Sequence, residues 1–178
     1  MPSATASQTI GPFWHLLEDP AWADLTRFGA EGERVVLRGR IVDGAGAPLA
    51  DGCVELWQTS PEASDTWTGF GRAATDANGE FRFVTLKPAP LPIRPHSNVA
   101  QAPHCALTLF ARGLLIHLHT RVYFAGEALN DHDPLLSSLS PARRGTLIAR
   151  PDGSERGMPV WRLDIRLQGD GETVFLDI

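Results

Sequence analysis

Tyrosine is almost missing from this chain: Tyr123 is the only one among 178 residues. Any chemistry that needs two phenols therefore cannot be completed here. Cysteine is nearly as scarce. Cys53 and Cys105 are too few for a disulfide framework and form no CxxC pair, which also argues against structural zinc. Both lie in apolar, strand-like runs and read as reduced core residues of a cytoplasmic protein. Positive charge is in deficit, with 16 basic residues against 21 acidic ones and a net charge of -5. Nucleic acid and a polybasic membrane surface are thereby excluded as expected partners. No run approaches the roughly eighteen apolar residues of a membrane helix, and Met1-Pro2-Ser3-Ala4-Thr5 has neither the basic nor the apolar region of a signal peptide. Glycine-rich phosphate loops, a nucleophile elbow and a long amphipathic helix are also lacking.

Turn-forming residues are plentiful, with 17 glycines and 14 prolines, and 43% of the chain is hydrophobic. That balance suits many short strands around a sizeable core. Strands are expected at Arg34–Val42, Cys53–Gln58, Gly71–Thr75, Glu80–Val84, Ala106–Ala111, Leu115–Phe124, Thr146–Ala149, Val160–Gln168 and Thr173–Asp177. Asp43 to Pro48 and Asp76-Ala77-Asn78-Gly79 are turns, the second one closing a hairpin. Three prolines between Lys87 and Pro92 rule out a central strand, so 87–101 is a long loop. The fold class expected is all-β: a single-domain β-sandwich of about eight strands with long connecting loops. Residues 34–178 form its core, and 1–33 form an irregular arm. The arm's Phe13, Trp14 and Trp22 must bury on this chain or on another.

Histidine offers the only metal chemistry visible without further comparison. His117-Leu118-His119 puts two imidazoles on one face of a strand, but no third ligand is near in sequence. His104 stands alone beside Pro103. The bland reading is that these side chains meet solvent or close a local hydrogen bond.

The order of several segments says more. Ser7-Gln8-Thr9-Ile10-Gly11-Pro12-Phe13-Trp14 is followed by Val54-Glu55-Leu56-Trp57-Gln58, then Lys87-Pro88, Ala102-Pro103-His104, Phe110-Ala111-Arg112-Gly113 and Thr120-Arg121-Val122-Tyr123-Phe124. The tail is Gln168-Gly169-Asp170-Gly171-Glu172-Thr173-Val174-Phe175. Over about nine tenths of its length the chain resembles the intradiol ring-cleaving dioxygenases, and among them the iron-free α subunits of two-subunit members. The resemblance implies a prealbumin-like sandwich and a non-haem Fe(III) held by two tyrosinates and two histidines. Anionic phenolates suit the ferric state. At the positions this resemblance assigns to ligands, Leu91 replaces a tyrosine and Ala106 a histidine. His104 is then a vestigial ligand position, and Tyr123 lies away from both tyrosine positions. The implied roles follow: no catalytic residue and no metal in this chain, and an Fe(III) cofactor bound by a partner β subunit. A small aromatic acid and O2 meet at the shared interface. Thr9, Gly11, Pro12 and Arg112 are the implied substrate-binding residues, with Arg112 receiving a carboxylate.

Two other readings remain open from the sequence. One is a non-catalytic transthyretin-like binding module, which a neighbouring reading frame carrying the missing ligands would contradict. The other is an independent metalloenzyme built on His104, His117 and His119.

Overall fold

A computed structural model describes residues 6–11 and 13–177. Its main sheet has nine strands. They are β1 (Arg34–Val42), β2 (Cys53–Trp57), β3 (Phe70–Ala74), β4 (Glu80–Leu86), β7 (His104–Phe110), β8 (Leu118–Phe124), β9 (Ile148–Glu155), β10 (Met158–Arg162) and β11 (Ile165–Arg166). The all-β expectation holds, and most strand positions agree within a few residues. The separation into two sheets does not hold. Hydrogen bonding runs unbroken along β11-β1-β10-β9-β8-β7-β2-β3, with β4 on the other edge of β1. The joint is β9. Its first residues pair parallel with β8 at Tyr123↔Ile148, while its remainder pairs antiparallel with β10. One bent strand thus stitches two layers into a nearly closed sheet.

Alternation along the strands builds the core. Leu37, Ile41, Phe81 and Phe83 come from β1 and β4, and they meet Val54, Leu56, Leu107, Leu109, Val122 and Phe124 from the opposite layer. Leu25 and Ala30 of the 1–33 segment also enter this core. A smaller cluster gathers Ala102, Tyr123, Leu136, Leu147 and Val174. It is organised around Asp133, whose buried carboxylate accepts from Ala102 N at 2.9 Å, Leu135 N at 2.9 Å, Leu136 N at 3.1 Å and Tyr123 Oη at 3.2 Å. Burial pushes the single tyrosine up to about 12, so it stays a neutral phenol.

Three local expectations are corrected. The Asp76–Gly79 turn forms, with Asp76 Oδ1 accepting from Asn78 N and Glu80 N and Gly79 at φ 76°. It does not close a hairpin, because β3 pairs with β2 and β4 with β1. The turn crosses between layers, and Ala73 of β3 meets Phe81 and Phe83 of β4 in the core they share. The second correction concerns 150–159, which carries a strand hairpin that its Pro, Asp, Gly and Arg content concealed. Third, Thr173–Asp177 forms no strand, and a lone bridge joins Leu176 to His119. The 87–101 loop contains a small two-stranded piece, β5 (Leu91–Pro92) against β6 (Ala100–Gln101), off the main sheet. Between Phe124 and Ile148 lie two one-turn helices, α1 (Pro134–Ser138) and α2 (Pro141–Gly145).

Candidate functional site

The even-numbered side chains of β7 define the outer face of the β3-β2-β7-β8 layer, because Cys105, Leu107 and Leu109 take the core. Along that face run His104, Ala106, Thr108 and Phe110. Neighbouring strands complete each row: Trp57 and Arg121 flank Ala106, and Glu55 and His119 flank Thr108.

The ligand positions implied by the resemblance come together at the His104 end. Leu91, His104 and Ala106 line one small cavity of about 130 Å³, with Trp57, Gln58 and Thr59. The loop piece β5 carries Leu91 over the sheet. His104 is buried, and its Nδ1 lies 2.8 Å from the Ala102 carbonyl. Because a carbonyl only accepts, Nδ1 carries the proton and Nε2 is the lone pair that remains. Burial pushes His104 below the ordinary histidine range, with the Arg121 charge adding to it and the Ala102 hydrogen bond opposing it. An isobutyl group, a methyl group and one imidazole do not make a ferric site. The donor set does not fit iron, and no step of a reaction is derived from it.

His117 and His119 are neighbours, with ring centroids 4.6 Å apart. His117 stacks near Phe110 at 5.3 Å, and His119 Nδ1 lies 3.0 Å from Thr108 Oγ1. His104 is not with them. It pairs with Tyr123, four residues along β8 from His119, which is roughly 13 Å of strand. Among the described residues no group of three or more potential ligands forms, so the three-histidine reading is not supported.

At the opposite end of β7 the implied substrate residues gather around one turn. His104 to Phe110 is seven residues, six steps of roughly 20 Å in all, and Arg112 lies beyond it. Thr9 reaches this turn from the arm: its hydroxyl donates to Ala111 O and accepts from Gly113 N, each at 3.1 Å. Arg112 is 62% exposed and its Nε is paired with the Asp51 carboxylate. An ion pair on the surface is thus its arrangement within this chain. Gly11 is exposed, with nothing within 4 Å of where a Cβ would stand, so no crowding inside this chain requires a glycine there. Pro12 lies outside the described residues. Asp51 escaped the sequence reading. The β2–β7 pairing, which ends at Cys53↔Phe110, brings the two turns together so that Asp51 meets Arg112.

Beside this turn the arm roofs a cleft of about 290 Å³. Ile10, Trp14, Leu17 and Phe110 form its apolar walls, above Cys53 and an Arg72–Glu55 ion pair. Burial pushes the Cys53 thiol up to about 12, so it is no nucleophile. Around the same end Phe13 is 71% exposed, Leu115 71% and Ile116 67%.

The family model described as "Dioxygenase" matches residues 19–169. The protocatechuate 3,4-dioxygenase α chain of Pseudomonas putida is 37% identical, covering 97% of this chain and 96% of that one. The β chain of the same enzyme from Burkholderia cepacia is 31% identical over 94% of this chain and 77% of its own length. Among solved structures, the dioxygenase domain of a dioxygenase and carbohydrate-binding fusion from Streptomyces sp. SirexAA-E shares the fold. Its TM-score is 0.64 at 21% identity, covering 97% of this chain and 98% of that one. The chain belongs to the dioxygenase family and is a homologue of protocatechuate 3,4-dioxygenase α chains.

Proposed function

We propose that this chain is the non-iron-binding α subunit of a cytoplasmic protocatechuate 3,4-dioxygenase, active only with its β partner. The reaction is the O2-dependent opening of 3,4-dihydroxybenzoate between its two hydroxyl-bearing carbons. The product, 3-carboxy-cis,cis-muconate, belongs to the β-ketoadipate route of aromatic catabolism. Non-haem Fe(III), held by the β subunit, makes the ring reactive toward O2. This chain supplies one wall of the pocket. Arg112 receives the substrate carboxylate, Gly11 and Pro12 border the ring, and Thr9 holds the Arg112 turn. The arm of residues 1–33 packs on the body and reaches the partner.

The observation that carries this reading is the state of the His104 cavity. Leu91 and Ala106 line it at the positions the resemblance assigns to ligands, while Arg112 sits exposed past the far end of the same sheet face. A carboxylate bound by Arg112 is therefore too far from the His104 position to share a site with it. This supports a ring that sits in another chain's site. Iron content and visible absorbance test this. The chain purified alone is expected to be colourless and inactive. Co-expressed with a β chain it should form a complex with one iron per αβ pair and a tyrosinate-to-Fe(III) band. Iron and ring cleavage in the isolated chain would overturn the reading.

A further inference from the structure

The Arg112 turn holds an acidic group, Asp51, whose purpose the carboxylate-binding role leaves unexplained. Asp51 and Arg112 each lie two residues past the last β2–β7 pair, Cys53↔Phe110, and their side chains meet there. The contact is specific in its atoms: Asp51 Oδ2 accepts from Arg112 Nε. The Nη1 and Nη2 groups have no hydrogen-bond partner among the described residues. A guanidinium offers two edges to a carboxylate, one through Nε and one through the two Nη atoms. Asp51 occupies the first and leaves the second as a fork. The backbone beneath is tied on both sides of Arg112, because the Thr9 hydroxyl donates to Ala111 O and accepts from Gly113 N. Through these two bonds Thr9 holds the turn that carries Arg112.

We propose that Asp51 is a positioning residue for Arg112, fixing the guanidinium so that its Nη1/Nη2 edge faces outward to receive the carboxylate of an aromatic acid. This rests on the reading of Arg112 as the carboxylate-binding residue. An anion next to an anion-binding group costs affinity through repulsion. The compensating gain is that a long, exposed side chain is ordered before the substrate arrives, rather than at its expense. The arrangement sets specificity: it favours a ring bearing a carboxylate over the same ring without one.

The test uses the co-expressed αβ complex, with kcat and KM measured for 3,4-dihydroxybenzoate and for catechol, which lacks the carboxylate. Asp51→Ala is expected to raise KM for 3,4-dihydroxybenzoate roughly 3- to 10-fold, the size of one unrestrained side chain. Its kcat, and both constants for catechol, should stay near wild type. Asp51→Asn keeps an acceptor for Nε without the charge and should restore KM to within about 2-fold. In an Arg112→Ala background, Asp51→Ala should change nothing further. Equal losses on both substrates would make Asp51 a merely structural residue and overturn the proposal. So would an unchanged selectivity in Asp51→Ala when Arg112→Ala abolishes it. If Arg112→Ala itself leaves selectivity intact, the carboxylate reading of Arg112 fails, and the role of Asp51 fails with it.

Discussion

His104 is a buried imidazole fixed by one local hydrogen bond. The imidazole is 9% exposed, bonded through Nδ1 to Ala102 O and 5.2 Å from the Tyr123 ring. Its folded-state pKa lies below the ordinary value of 6.5. As pH falls through that value the unfolded chain takes up a proton that the native chain refuses. The contribution of neutral His104 is thus complete above about 6.5 and is lost as pH falls. His119 is lowered too, by burial and by the neighbouring His117, and adds in the same direction. His104→Gln should therefore lose less stability than wild type between pH 7.5 and 5.5, without becoming pH-independent. Urea midpoints at the two values measure this, and equal losses would contradict it. At this scale the sequence is legible where identity decides chemistry. One tyrosine suffices to exclude a site that needs two. It was silent on Asp51, because nothing in the residues around Asp51 names its partner 61 positions away.

Among the elements, β1 bears the heaviest constraint, paired with β4 on one side and with β10 and β11 on the other. Between β10 and β11 the chain steps out at Leu163 and Asp164, and Leu163 N returns a bond to Arg38 O at 3.0 Å. That crossing needs a residue without Cβ on β1. A Cβ on Gly39 would stand 1.8 Å from Leu163 O and 2.9 Å from the Phe81 ring. Backbone on one side and core on the other leave no room to yield. Gly39→Ala should cost about 3 kcal/mol by urea denaturation. Gly145→Ala, with nothing within 4 Å of its Cβ, should stay within about 0.5 kcal/mol. A Gly39→Ala chain as stable as wild type would refute the close approach. The Asp76–Gly79 turn carries the opposite lesson. Its residues were read correctly, but whether a tight turn joins paired strands or crosses between layers depends on where each strand finds its neighbour.

Taken whole, the molecule exposes several large apolar side chains on the arm and just past the Arg112 turn. Phe13, Leu16 and Leu17 of the arm lie 69–83% exposed, near Leu115 and Ile116 beyond the turn, and the Thr9 hydroxyl ties the two segments together. Exposed aromatic and aliphatic side chains in one region suit a protein contact. Deleting residues 1–14 removes Phe13 and Trp14 but leaves Leu25 and Ala30 in the core, so the chain should still fold. It should then fail to co-purify with a β chain at wild-type yield. A truncated chain that co-purifies fully active would remove the arm from the interface.

From the sequence alone came the all-β class, most strand positions and the buried, unpaired cysteines. These depend on alternation, turn residues and side-chain identity, all of which are local. Only the tertiary structure decided that β9 joins the layers into one path, that the Asp76 turn crosses between them, and that Asp51 faces Arg112. Each of those is a pairing between segments distant in the chain. Such pairings are set by competition among all strand edges for partners, and no stretch of sequence encodes that outcome by itself.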